Sequence, residues 1–176
     1  MNDQKISVLL SAYNVGEYVR EAIESILNQS YKNFEILISD DGSNDNTDQI
    51  IRKETSKLQF NITYIRSSHR IGKAKMDNYL FKAAKGKYYY YNGSDDYLIS
   101  NTLEYCLKLI KKIPTNQSKQ FAGVFAQSVD LKGISQTFHS GRIPEKELIL
   151  KYEDTHEYIK GDCAILEYAE NYKNKK

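Results

Sequence analysis

An α/β fold with a mostly parallel central sheet flanked by helices is predicted by three features of the sequence. Short apolar runs of strand length alternate with segments of helical period four times before Pro114. Clusters of Asp, Gly, Ser and Asn follow the strand-like runs, where turns are needed. Parallel strands joined by right-handed crossover helices satisfy that alternation, and ligands of such sheets bind beyond the carboxyl ends of the strands.

The elements can be read in order. Ile6-Ser7-Val8-Leu9-Leu10 is the first strand, and Asn14-Val15-Gly16-Glu17 has the form of a helix start, with Asn14 as N-cap and Glu17 at N3. Val19, Ala22, Ile23, Ile26 and Leu27 then recur at helical spacing, and the helix ends near Asn28-Gln29-Ser30. Phe34 to Ile38 is the second strand, residues 40–46 are a turn, and the next helix puts Ile50, Ile51 and Leu58 on one side. Ile62 to Ile65 is a third strand. A polar loop to Gly72 leads into a helix through Tyr79, Leu80 and Ala83, which Gly86 stops before the strand Lys87 to Tyr91. Alternation along that strand sends successive tyrosines to opposite faces of the sheet.

Thr102 to Lys112 reads as a helix with Leu103, Leu107 and Ile110 inward. Past Pro114 the rhythm changes: Val124-Phe125-Ala126 and residues 134–138 flank Asp130-Leu131-Lys132-Gly133 as a C-terminal β-hairpin. Cys163 to Leu166 is one further strand. With 176 residues the chain suits one domain.

The net charge of +2, from 25 Lys/Arg and 23 Asp/Glu, argues against nucleic acid as a partner. Residues 171–176 form a basic tail, a solvated end with a weak attraction to anionic lipid. Cys106 and Cys163 stand far apart and suggest neither a disulfide framework nor a zinc site. No apolar leader or bilayer-length run is present, so the expected location is the cytoplasm.

Four strand ends deliver Tyr13-Asn14, Asp40-Asp41, Arg70 with Lys73, and Asp95-Asp96 to one rim. An acidic pair there suits a hard cation, and Arg70 or Lys73 adds positive charge for phosphates. Each piece also has a plainer reading. Asp40-Asp41-Gly42-Ser43 and Asn92-Gly93-Ser94-Asp95-Asp96 are good turn chemistry, and Tyr13 is a reasonable packing residue. The segment Ser11 to Gly16 lacks the G-x-G-x-x-G of a dinucleotide fold, and no P-loop occurs anywhere, which sets aside hydride transfer and ATP hydrolysis. His69, His139 and His156 lack ligand spacing, and no G-x-S-x-G elbow accompanies the serines.

The runs Ser7 to Asn14 and Glu35 to Asp45, the segment Gly72 to Asn78, Ala84-Lys85-Gly86-Lys87-Tyr88 and Ser94-Asp95-Asp96-Tyr97 resemble glycosyltransferase family 2. That resemblance implies a GT-A fold, inversion at the sugar carbon, a UDP-sugar donor, and Mg or Mn. It further implies a saccharide or lipid-linked saccharide acceptor in cell-surface polysaccharide or glycoconjugate synthesis, at the inner face of the membrane. Ala12, Tyr13, Asn14, Glu17, Asp40, Asp41, Arg70, Gly72, Lys73, Asn78, Ser94 and Asp95 would then hold the donor, and Asp95 with Asp96 the metal. Residues 1–112 would form the donor-binding region, and 113–176 a partial acceptor side of the same domain.

Three departures stand out. Gly93 takes the place of the family's first D-x-D carboxylate, and Asp77 that of an arginine. The family's E-D pair, which supplies the general base, follows the strand at Gly161 to Ala164, whereas Glu153-Asp154 precedes it. The resemblance therefore implies a base beyond Lys176, with Asp154 as the candidate inside the chain and a non-catalytic binding module as the alternative function.

Overall fold

In the computed structural model, which describes residues 5–56, 61–112, 123–127 and 163–168, the predicted alternation is present element by element. The order is β1 (Ile6–Ala12), α1 (Val19–Leu27), β2 (Phe34–Asp40), α2 (Thr47–Ser56), β3 (Ile62–Arg66), α3 (Lys73–Ala83), β4 (Tyr88–Gly93), α4 (Thr102–Ile110), β5 (Gly123–Gln127) and β6 (Cys163–Tyr168). These strands form one six-stranded sheet in the order β3-β2-β1-β4-β6-β5. The pairs β1–β2, β1–β4 and β2–β3 are parallel, while β6 runs antiparallel to both β4 and β5.

Strands β1 and β2 are covered on both faces, which is why they read as continuous apolar runs. Helices α1, α2 and α4 pack on one face with Val8, Leu10, Ile36, Ile38 and Tyr90, and α3 packs on the other with Leu9, Leu37 and Tyr89. The tyrosine run divides as its alternation predicts: Tyr88 and Tyr90 join the first layer, Tyr89 and Tyr91 the second. Because β1 lies between β2 and β4, the chain moves outward to β3 and then crosses back over β1. That reversal opens a crevice at the carboxyl ends of β1 and β4. Ser11 stands opposite both Ser39 and Gly93 there, and Ala12 opposite Asp40.

One sequence expectation, the start of α1, needs correction. Asn14 does not cap α1 and Glu17 is not at N3: the helix begins at Val19 after a turn in which Tyr18 and Val19 N–H both reach Val15 O. Asn14 sits instead in the left-handed region at φ 51°, which asparagine tolerates, and its side chain is used by another loop. The strand at 124–126 is present as β5, and among the described residues it pairs with β6. Residues 134–138, like Leu58, lie outside the described residues.

At the opposite end of the sheet Glu35 ties three segments together. Its carboxylate accepts hydrogen bonds from Lys5 Nζ (2.9 Å), Ser7 Oγ (2.6 Å) and Lys85 N–H (2.7 Å). Burial raises the Glu35 pKa, but these hydrogen bonds and the Lys5 charge outweigh it and hold the group below its ordinary value. A depressed folded-state pKa means stability that is present above the unfolded Glu value, about 4.3, and is lost as pH falls. Glu35→Gln should therefore lower stability by about 1–3 kcal/mol at neutral pH. In urea unfolding, the gap between parent and variant should close on acidification. A gap that widens would contradict this account.

Candidate active site

The rim is organised around Asp40, the last residue of β2, which has no exposed surface. Its Oδ1 accepts Ser43 N–H (2.9 Å) and Ser43 Oγ–H (2.5 Å), and its Oδ2 accepts Arg66 Nε–H (3.0 Å). Tyr64 Oη lies 3.2 Å from Asp40 Oδ2 and 2.7 Å from Asp48 Oδ1. Burial first, then these two carboxylates, push the Tyr64 pKa well above its ordinary value. Asp40 thus curls the turn after β2 and pins it to β3. From that turn, Ser43 Oγ accepts Asn14 N–H (2.9 Å), Thr47 Oγ1 accepts Val15 N–H (2.9 Å) and Asp45 accepts Gly16 N–H (3.0 Å). Asn14 Oδ1 returns the contact by accepting Asn44 N–H at 3.0 Å.

Asp41, the next residue, faces the other way. Its two oxygens accept the consecutive N–H groups of Ile71 (2.7 Å) and Gly72 (2.9 Å). Gly42 makes this approach possible: its φ is +73°, and an added Cβ would lie 2.6 Å from the His69 carbonyl carbon. With the 70–72 segment held there, the exposed Arg70 guanidinium lies 4.3 Å from the centre of the half-buried Tyr13 ring. Tyr13 and Arg70 together form a planar, donor-rich surface at the carboxyl end of β1.

A third group lies on the α3 side. Lys73 Nζ donates to Asp77 Oδ2 (2.9 Å) and to the Tyr91 hydroxyl. Asp77 Oδ1 also accepts from Ser11 Oγ and from Tyr91 Oη (2.9 Å). Burial lowers the Lys73 pKa, but the bonds to Tyr91 and Asp77 outweigh it and raise the value, so the ammonium stays charged at neutral pH.

The fourth group is the turn after β4. Buried Asn92 donates to Gly93 O (2.7 Å) and Asp96 O (3.3 Å), and Asp96 N–H closes the turn on Gly93 O (3.2 Å). Asp95 and Asp96 are exposed and Ser94 is buried. The missing side chain at Gly93 leaves room for both acids: a Cβ there would lie 2.4 Å from Asp96 Oδ2 and 3.0 Å from Asp95 Oδ1. Among the described residues no cluster of three His, Cys, Asp or Glu could hold a metal ion. Two adjacent carboxylates nevertheless suit Mg²⁺ or Mn²⁺, which bind through one or two carboxylates with substrate phosphates and water completing the shell.

The structure therefore brings Tyr13, Arg70, Lys73, Asp95 and Asp96 to one rim. Ala12 is buried at the end of β1, and Glu17 and Asn78 are exposed on its flanks. Asp40 and Asp41 are 0% and 5% exposed, and their oxygens are occupied by the protein, so they shape the loops. Glu153 and Asp154 lie outside the described residues. Sequence reasoning missed Ser43 and Arg66 as partners of Asp40, and Ser11 and Tyr91 as partners of Asp77. Strand parity already placed Ser11 and Tyr91 on the α3 face, and Asp77 is i+4 from Lys73. A groove lined by Ser30, Tyr31, Lys32, Glu104, Leu107, Lys108 and Lys111 lies beside α4. It receives none of the loops that follow β1, β2 and β4.

An open, mostly parallel α/β sheet with a polar rim at its switch point is a fold of the GT-A type. The chain belongs to glycosyltransferase family 2: the Glycosyl transferase family 2 model matches residues 7–169. A glycosyltransferase of Rickettsia typhi is 31% identical over 133 residues, covering 76% of this chain and 40% of that protein. The Escherichia coli UDP-Glc:α-D-GlcNAc-diphosphoundecaprenol β-1,3-glucosyltransferase WfaP is 37% identical over 98 residues, covering 56% of this chain and 38% of its own. The crystal structure of S. aureus TarS 1–349 in complex with UDP superposes with a TM-score of 0.56 and 32% identity, over 61% of this chain and 32% of that one. The match thus spans two fifths or less of these relatives' own lengths. No helix among the described residues is long and apolar enough to cross a membrane.

Asp40→Ala should cost about 1–3 kcal/mol of stability, because it leaves the buried Ser43 turn without its acceptor. Chemical denaturation checks this, and a loss below about 0.5 kcal/mol, the usual range for surface changes, would contradict the assigned role.

Proposed function

We propose that the rim binds a nucleoside-diphosphate sugar, a UDP-sugar, and that the chain carries the donor half of an inverting glycosyltransferase. The observation that carries this reading is the convergence of Tyr13 with Arg70, Lys73, and the Asp95–Asp96 pair around one crevice. A pyrimidine needs a flat surface and donors, which Tyr13 and Arg70 offer. A diphosphate needs cationic partners, which Lys73 offers directly. Asp95 and Asp96 would hold Mg²⁺ or Mn²⁺, which offsets the charge that develops on a departing diphosphate.

In the transfer, an acceptor hydroxyl oxygen forms the bond to the anomeric carbon as the bond to the diphosphate oxygen breaks. The nucleoside diphosphate departs with that electron pair, and attack from the opposite side inverts the carbon. The hydroxyl proton goes to a carboxylate, which we place beyond Lys176 or at Asp154. We assign residues 1–112 to the donor and 113–176 to part of the acceptor side. The diphosphoundecaprenol in the WfaP name supports a saccharide or lipid-linked saccharide acceptor, and we place the transfer at the inner face of the membrane. Gly93, in the place of a family carboxylate, favours a second reading in which the chain binds the nucleotide sugar without transferring it.

Calorimetric titration with UDP separates these possibilities. Affinity should fall when Mn²⁺ is replaced by a chelator, and the Asp95→Ala/Asp96→Ala double variant should remove that difference. Metal-independent affinity in the parent would exclude the acid pair from donor binding. Turnover of UDP-sugars, alone or with acceptor, then distinguishes the transferase from the binding module.

A further inference from the structure

Lys73 and Asp77 are an i,i+4 pair on α3, and such surface pairs are ordinarily mobile and contribute little. This one is built differently. The Asp77 side chain is only 16% exposed, and residues from two strands grip it: Ser11 Oγ of β1 and Tyr91 Oη of β4 both reach its Oδ1. Ser11 is itself approached by Ser39 Oγ of β2 at 3.3 Å. Thus anchored, Asp77 draws the Lys73 ammonium off the helix flank onto β4, where it lies 4.3 Å from the Tyr91 ring centre. Tyr91 is two residues before Gly93, over which the Asp95 and Asp96 carboxylates lean.

An ammonium has three N–H donors. Asp77 and Tyr91 take two, and the third has no protein acceptor among the described residues, on a side chain that is 66% exposed. A carboxylate near a diphosphate site is unfavourable by charge alone. Its presence makes sense if it sets the position of a cation that does more for the anion than the carboxylate does against it.

We propose that Asp77 and Tyr91 are positioning residues that hold Lys73 at the rim, with its remaining donor directed to the donor substrate's diphosphate. This deepens the nucleotide-sugar reading above and rests on it. Holding the ammonium in place before the ligand arrives avoids the entropic cost of ordering a long side chain on binding.

The test is the affinity of the 176-residue chain for UDP and for uridine at low salt and fixed Mg²⁺, with thermal melts alongside. Lys73→Met should weaken UDP by about tenfold or more and leave uridine unchanged. The sign of Asp77→Asn decides between charge and positioning. Removing a negative charge tightens an anion by simple electrostatics, whereas loss of positioning weakens it. We expect weakening, in the same direction as Tyr91→Phe, and no further weakening when Asp77→Asn is added to Lys73→Met.

Tighter or unchanged UDP binding in Asp77→Asn, or equal losses for UDP and uridine, would overturn the proposal. Should Asp77→Asn fail to fold, Lys73→Met, a surface change, still decides, because unchanged UDP affinity there overturns it as well. If the unaltered chain binds neither UDP nor uridine, the nucleotide-sugar reading falls and takes this proposal with it. If the unaltered chain binds UDP but Lys73→Met has no effect, only the role of Lys73 is lost.

Discussion

A carboxylate with no access to water has to be fully paired, and the pairing of Asp40 determines the shape of the rim. Its bonds to Ser43 curl the turn after β2, and its ion pair with Arg66 fastens that turn to β3. Ser43 and Thr47 can then receive the backbone of the loop after β1. Asp41 extends the same logic to the loop before α3 through two backbone N–H groups. Three loops from three strands are thus fixed by adjacent acids, and Tyr13 and Arg70 are displayed by that framework.

The carboxylates of this crevice divide by exposure. Asp40, Asp41 and Asp77 are buried or nearly so, and they bind protein groups. Asp95 and Asp96 stay exposed beside a glycine. Lys73 connects the two classes, because its charge is held by a largely covered acid while its side chain faces solvent. Preorganisation of this kind keeps donors and charges in place before a substrate enters.

Much of the architecture was legible in the sequence. Apolar runs marked the strands, the spacing of Ala22, Ile23 and Ile26 marked α1, and alternation in Tyr88 to Tyr91 assigned faces correctly. The rim was legible because parallel strands bring their carboxyl ends together. What local reading could not supply was partnership across the sheet. Asn14 has the residue type of a helix cap, yet its side chain serves a loop thirty residues on, because the left-handed turn directs it there. Asp40-Asp41 looks equally like a ligand pair or a turn, and only the positions of Arg66, Ile71 and Gly72 show where the oxygens go. The pairing of β5 with β6 joins residues about forty apart, beyond the reach of hairpin patterning.

The central claim is that the crevice at the ends of β1 and β4 is where a nucleoside diphosphate binds. Amide chemical-shift mapping of the chain during titration with UDP and Mg²⁺ tests it most directly. The account predicts shifts concentrated at Tyr13–Asn14, Arg70–Lys73 and Gly93–Asp96, with little change around Ser30–Lys32 and Lys108–Lys111. Shifts centred on that second groove, with the rim unmoved, would contradict it.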